Sequence, residues 1–264
     1  MTDPVFLARE IRKTILTQSR RAHVGHIGSA LSIADAIAAL FCGPLADFAS
    51  NRGPDRHRFI LSKGHAALAL YALLANYGLI SAAELDTFCC DGSALGVHPE
   101  HGVPGIDFST GSLGQGLSVG AGAALAARLD QSSRRVFVLL SDAECNEGSV
   151  WEAVAFAAHH RLSNLVAVVD ENGQQAFGYT KDVLYPTPLA ERWKSFGWNV
   201  QTVDGHNTAE MMRALSATDS SAPHVLIART TFGKGVPFME NQIKWHYSPM
   251  SDREFADAMA AIEQ

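Results

Sequence analysis

Two short apolar runs, 136–140 and 165–169, stand on either side of an apolar helical stretch at 149–160. Runs of this length without alternating polar residues describe strands buried on both faces. Two such strands joined by a helix pair in parallel, because parallel neighbours need a crossover connection of a dozen or more residues. Arg58–Leu61 reads as another short strand. Further along, 198–203 and 224–228 read as strands, with helical patterns at 189–196 and 208–217 between the earlier strands and these. The pattern predicts an α/β fold, a mostly parallel sheet with helices on both faces. At 264 residues the chain sits near the upper limit for one hydrophobic core, which favours one domain over 1–264, with no internal repeat or linker.

The first part of the chain is helical. Asp3-Pro4 supplies an N-cap acid and a first-turn proline, and Phe6, Leu7, Ile11, Ile15 and Leu16 keep a helical spacing. A second helix is predicted over 29–40, a loop over 43–55, and a third helix over 66–77, ended by Gly78. Ser81 to Glu84 has the form of a capping box. The stretch from Val150 to Ala158 leaves little polar face, so it predicts a helix covered on nearly all sides, by a partner subunit or by a large core.

Composition excludes several functions. Twenty-one basic against 27 acidic residues, a net charge of -6 and no basic cluster argue against nucleic acid. No apolar run is long enough to cross a bilayer and Met1-Thr-Asp-Pro4 lacks a secretory pattern, so a cytoplasmic protein is expected. Cys42, Cys89, Cys90 and Cys145 form no CxxC pair and read as reduced thiols, mostly in the core or just behind a site. Gly116-Leu-Ser118-Val-Gly120 matches a nucleophile elbow by letters, but it lies in a glycine-rich loop entering a helix, not after a strand. The glycines at 111, 114, 116, 120 and 122 do not fit a dinucleotide fingerprint, and Gly233-Lys-Gly235 lacks the following Ser or Thr of a phosphate-binding loop. His23 with His26, and His98 with His101, have zinc-like spacing without a third ligand.

The chemistry gathers elsewhere. Asp142 stands at the carboxyl end of one parallel strand and Asn172 at that of the next, facing the crevice where open α/β sheets bind ligands. A carboxylate, an amide oxygen and the backbone carbonyl of Gln174 are hard donors suited to magnesium, which leaves coordination positions for phosphate oxygens; a strand-end cap plus a turn asparagine is the alternative.

Asp142, Glu147-Gly148 and Asn172 resemble the thiamine diphosphate motif of transketolases. So, in the family's order, do Gly25-His-Ile-Gly28, Leu61-Ser-Lys-Gly-His65, Gly96-Val-His-Pro-Glu100, Thr110-Gly-Ser-Leu-Gly-Gln-Gly116, Gly233-Lys-Gly235 and Trp245-His246. The resemblance implies the diphosphate-binding (PP-type) domain of the thiamine diphosphate-binding fold. It implies Asp142, Asn172 and Gln174 as ligands of Mg2+ (or Ca2+/Mn2+), and Leu113, Gly114, Gly116, Ala143 and Glu144 around the cofactor. His26, His65, His98 and His246 would surround the reactive carbon and the substrate, with His65 and His246 also touching the cofactor. Glu147 joins the catalytic set, and Glu147 and Glu152 correspond to acids at the family's dimer interface.

Two departures stand out. Ser141-Asp142-Ala143 replaces Gly-Asp-Gly, where a Cβ at 143 is expected to restrict the backbone or crowd the diphosphate, and Ile27 replaces a proline. The family's second, pyrimidine-binding domain has no counterpart in this sequence. The resemblance therefore implies one component of a split, two-component transketolase, an α2β2 assembly with a partner carrying that domain. Such an enzyme moves a two-carbon ketol unit from a ketose, a sugar or sugar-phosphate-like donor, to an aldehyde. The alternatives are the α subunit of a 2-oxo acid enzyme, which shares the metal motif, and a degenerate binding subunit.

Overall fold

The computed structural model describes residues 3–184, 188–216 and 221–263. Its strands are β1 (Arg58–Leu61), β2 (Val136–Ser141), β3 (Leu165–Glu171), β4 (Gln174–Gln175), β5 (Gly178–Tyr179), β6 (Asn199–Asp204) and β7 (His224–Arg229). Five of them form one sheet in the order β1-β2-β3-β7-β6, every pairing parallel, and β4 with β5 makes a small antiparallel hairpin. The strands follow the apolar runs closely. The position of β7, inserted between β3 and β6, is a non-local choice that no local pattern encodes.

The helices are α1 (Pro4–Ala22), α2 (Ile27–Ser32), α3 (Ala34–Cys42), α4 (Ala67–Asn76), α5 (Ala82–Leu85), α6 (Gln115–Leu129), α7 (Gly148–His159), α8 (Thr180–Val183), α9 (Leu189–Ser195), α10 (Thr208–Ser216), α11 (Lys244–Tyr247) and α12 (Asp252–Glu263). Asp3 caps α1 by accepting the Val5 N–H at 3.0 Å, and the capping box at Ser81 and Glu84 is formed in both directions. The helix expected over 29–40 is two helices, because Ile33 at φ -98° and ψ 1° leaves the helical region and turns the chain. The helix expected over 208–217 is described to Ser216; its last residue, Ala217, lies outside the described residues.

Successive strand residues point to opposite faces. Phe59, Leu61, Phe137, Leu139, Val166, Val168 and Leu226 pack into one core with α1, α3, α4 and α10. Ile60, Val138, Leu140, Ala167, Val169 and Ile227 pack into another with α6, α7 and α9. Helices cover both faces, and the sheet sits between two apolar layers.

Three local readings are refined. Helix α7 buries Val150, Ala153, Val154 and Ala157 but leaves Phe156 40% exposed, with Glu152 and Ala155 also outward, so this chain covers one side of the helix only. Ser118 lies exposed within α6 and no strand precedes it, which removes the nucleophile-elbow geometry. All four cysteines are free; Cys42 and Cys145 are buried, but Cys89 and Cys90 are exposed, against the expectation of core thiols. No helix among the described residues is long and apolar enough to cross a membrane.

Helix α6 approaches the sheet through Gly120, where a Cβ would lie 2.4 Å from Val138 Cγ2. Gly120→Ala is therefore expected to destabilise the fold by about 1–3 kcal/mol through overpacking, read as a lower urea midpoint at unchanged slope.

Candidate functional site

In a parallel sheet all strands end at the same edge, and there the loops after β1, β2, β3 and β7 converge. Their meeting point is Asp170, 2% exposed near the end of β3. One carboxylate oxygen accepts from Lys63 Nζ at 2.6 Å, Ser32 Oγ at 2.8 Å and Asn172 Nδ2 at 2.7 Å, and the other accepts from the Thr230 hydroxyl. Lys63 is fully buried and also donates to the Ser29 carbonyl at 3.1 Å. A buried charge is tolerable when it is paired and its remaining valences are filled, and both conditions hold here.

Above this pair opens a cavity of about 350 Å3, lined by His26, Ser29, His65, His98, Gly111, Leu113, Ser141, Ala143, Asn146, Glu147, Asn172, Gln174, Gln175, Ala176, Phe177, Phe232 and His246. His26, His65 and His246 form a triangle with ring centroids 5.2 to 5.8 Å apart. His26 enters it from the left-handed region at φ 60°, its N–H donating to the His246 carbonyl at 3.1 Å. Gly25 permits that approach, since a Cβ there would stand 2.4 Å from the Tyr247 carbonyl oxygen. His65 Nε2 pairs with Ser29 Oγ at 2.8 Å. His98 is placed by its carbonyl, which accepts the Tyr71 hydroxyl at 2.8 Å.

Burial lowers the three clustered imidazoles first, and neighbouring positive charge adds to it. His246 falls to about 4, with His26 and Lys63 contributing; His65 lies well below its ordinary value and His26 below it. At neutral pH these rings are free bases. Among the described residues, five buried side-chain polar atoms lack a partner, and four belong to the wall of this cavity: His26 Nδ1, Gln174 Oε1, Gln175 Nε2 and His246 Nδ1. Buried polar groups are otherwise satisfied almost throughout proteins. Four orphans in side chains that line one space fit a site completed by water or a polar ligand.

Asp142 does not line this cavity; it lines a neighbouring pocket with Gly173, Thr180 and Thr230, and Asn172 belongs to both. Asp142 Oδ1 accepts the Ala143 N–H at 2.9 Å, and its Oδ2 accepts the Gly173 N–H and the Thr180 hydroxyl, both at 3.0 Å. Burial, and then the nearby Asp170 charge, push its carboxyl up to about 7, a strain that a cation would relieve. Asn172 Oδ1 accepts the Gln174 N–H at 2.9 Å and its amide is oriented by Asp170. A buried carboxylate, an oriented amide oxygen and the adjoining carbonyl of Gln174 fit a hard divalent cation.

The sequence-predicted residues do not all face the cavity. His26, His65, His98, His246, Glu147, Leu113, Ala143, Asn172 and Gln174 line it. Gly114 stands in the left-handed region at φ 84°, but its N–H is already given to Glu144 Oε1 at 2.8 Å. Gly116 packs against Ser62, whose Oγ would be 2.3 Å from a Cβ there, which by itself requires a glycine. Glu144 is fully buried and turns inward, accepting from Ser62 Oγ, the Gly114 N–H and the Ser141 N–H, so its side chain shapes the loops beneath the cavity. Ala143 has φ -61° and ψ -41°, so its Cβ restricts nothing in the backbone. Sequence reasoning assigns no role to Lys63 or Asp170. Their one signal is a pair of opposite charges, each at the end of an apolar strand on the same sheet edge.

A family model described as "Transketolase, thiamine diphosphate binding domain" matches residues 6–262. The chain is 38% identical over 261 residues to the 6-deoxy-6-sulfo-D-fructose transketolase subunit SqwG of Clostridium sp. (strain MSTE9), covering 97% of this chain and 95% of that protein. It is 37% identical to one of the subunits of an apulose-4-phosphate transketolase from Phocaeicola vulgatus, covering 96% and 91%. Among solved structures, transketolase from Leishmania mexicana superposes with a TM-score of 0.87 at 26% identity, over 100% of this chain and 42% of that one. The chain thus spans about two fifths of the solved transketolase and nearly all of the two bacterial subunits.

Two outcomes follow from the geometry. Lys63→Met strands the Asp170 carboxylate and is expected to cost about 3–5 kcal/mol of stability, measured by chemical denaturation. Unfolded histidine takes up its proton near its ordinary 6.5, whereas native His246 does so only at about 4. The unfolded state thus binds more protons between those values, His246 lowers stability as pH falls through that window, and its ring is expected to stay neutral at pH 6 in a nitrogen-detected NMR titration.

Proposed function

The chain belongs to the transketolase thiamine diphosphate-binding domain family, and on that premise we propose that it is the diphosphate- and cation-binding subunit of a two-component transketolase-like enzyme moving a two-carbon ketol unit from a ketose to an aldehyde. The observation that carries this reading is the ring of unpartnered polar atoms and free-base imidazoles around one cavity beside a buried acid, in a family defined by thiamine diphosphate binding. The pyrimidine-binding domain resides on a partner chain. The names of the two relatives support this, since each describes one subunit of an enzyme, and each relative is matched along nearly its whole length. The outward apolar face of α7, with Phe156, is surface suited to such a contact.

Asp142, Asn172 and the Gln174 carbonyl would hold Mg2+, or Ca2+ or Mn2+ in its place, and the cation would neutralise charge on the diphosphate. When bound, thiamine diphosphate supplies a nucleophilic carbon and an electron sink for the two-carbon unit. His26 and His246, kept as free bases by burial, take the proton of the donor's C3 hydroxyl as the C2–C3 bond opens, and return it to the acceptor's carbonyl oxygen. Anionic ligands in the cavity favour the protonated imidazole, so filling the site moves these rings back toward neutral pH. His98 holds the donor's C1 hydroxyl, and His65, oriented by Ser29, holds diphosphate or substrate hydroxyls. The relatives' names point to sulfonated or phosphorylated sugars as the donor class. Four imidazoles along one wall match a polyhydroxylated substrate better than a 2-oxo acid, which brings fewer hydroxyl protons to manage.

Calorimetry with thiamine diphosphate and Mg2+ is expected to show saturable binding, in this chain or together with the protein of the neighbouring reading frame, and to lose it in Asp142→Ala. Ketol transfer is expected only with both components. His26→Ala in the assembled enzyme should lower kcat by about 10²–10⁴-fold with cofactor affinity kept. Binding unaffected by Asp142→Ala, or transfer by this chain alone, would contradict the assignment.

A further inference from the structure

A cluster of charged side chains outside the cavity reaches its wall from behind. Asp35 of α3 accepts from Arg12 of α1 through two bonds, Nη1 at 3.1 Å and Nη2 at 2.5 Å, and lies 2.7 Å from His206 Nδ1. His206 Nε2 accepts the Thr231 backbone N–H at 2.8 Å, which puts the ring proton on Nδ1 and makes Nδ1 the donor to Asp35. Arg12 Nε in turn donates to the Lys234 carbonyl at 3.2 Å. The two arms of Asp35 therefore hold the turn after β7 at 231 and at 234, one on each side of Phe232.

Phe232 is where that turn meets the site. It is 1% exposed, lines the cavity, and lies nearly parallel to the His246 imidazole, 13° between planes and 6.0 Å between centroids. Gly28 also packs closely on it, for a Cβ there would come within 2.1 Å of its ring. His246 Nδ1 has no hydrogen-bond partner, so that side of the ring is oriented by packing. Burial works to raise the Asp35 carboxyl, but the hydrogen bonds from His206 and Arg12 outweigh it and hold it below its ordinary value; the acid stays ionised and the grip stays closed.

We propose that Arg12, Asp35 and His206 are positioning residues, a clamp centred on Asp35 that fixes the 231–234 turn and, through Phe232, the orientation of His246. The consequence for catalysis rests on the reading of His246 as a proton-handling group; the consequence for its ring does not. A clamp that serves stability alone would lower the melting temperature and leave His246 as it was. A positioning clamp changes His246 itself.

The test is Asp35→Asn in the assembled enzyme and in this chain. The His246 titration is expected to rise from about 4 toward its ordinary value as the ring loosens into water. In the assembled enzyme kcat at saturating thiamine diphosphate and Mg2+ should fall by roughly 10–100-fold, the scale of a misplaced catalytic group. His206→Gln, whose amide oxygen can still accept the Thr231 N–H, should keep most of the activity that His206→Ala loses; this pair also decides the matter if Asp35→Asn does not fold. An unmoved His246 titration together with unmoved kcat, at any melting temperature, overturns the clamp. A shifted titration in a protein without ketol transfer upholds the clamp and sinks the activity assignment instead.

Discussion

The Asp170 carboxylate is the constraint on which the arrangement of the cavity depends. It takes donors from four segments of the chain, α2 through Ser32, the loop after β1 through Lys63, its own loop through Asn172, and the loop after β7 through Thr230. The charge-assisted bond from Lys63 is the strongest of these contacts, and a buried carboxylate that lost any of them would carry an uncompensated desolvation cost. The geometry is thus enforced by penalty more than by attraction. The segments that deliver His26, His65 and Asn172 are linked through one side chain, so they cannot drift independently.

Such a hub also explains what can and cannot be read in the sequence. The strands β1, β2, β3 and β7 announce themselves as unbroken apolar runs because they are buried on both faces, and Asp142 and Asn172 fall at the ends of two of them. The histidines are recognisable from their flanking residues, and the structure brings all four to one wall. What stays hidden is whatever depends on distant partners. By its neighbours in the chain Glu144 reads as a cavity residue, yet Ser62 and Gly114 claim its oxygens. Gly116 reads as part of a cradle, and its reason is a serine far earlier in the chain, Ser62. The break at Ile33 has no proline or glycine to mark it.

The departures from the family pattern acquire a physical meaning in place. Ser141 uses its hydroxyl oxygen to accept the Glu144 N–H at 3.1 Å, a local bond that a glycine could not offer. Ala143 sits in the ordinary right-handed region, so the backbone there asks for no glycine. Ile27 is 1% exposed in the core, where its side chain adds apolar area at the first turn of α2. These changes lie in the backbone and core that support the site.

The strand order carries a last consequence, for the birth of the protein. Strand β7, which sits between β3 and β6, is the last of the sheet to be synthesised, after every strand that flanks it. Until it arrives, β3 lacks a neighbour on one edge, and that edge belongs to a strand whose apolar residues, Leu165 to Val169, precede its two acids. A nascent chain with β3 formed and β7 still to come would carry an open inner edge, the kind of surface that invites pairing with the wrong chain. Cover for the inner edge of β3 waits on residues 224–229, while β1 and β6 remain the outer edges of the finished sheet.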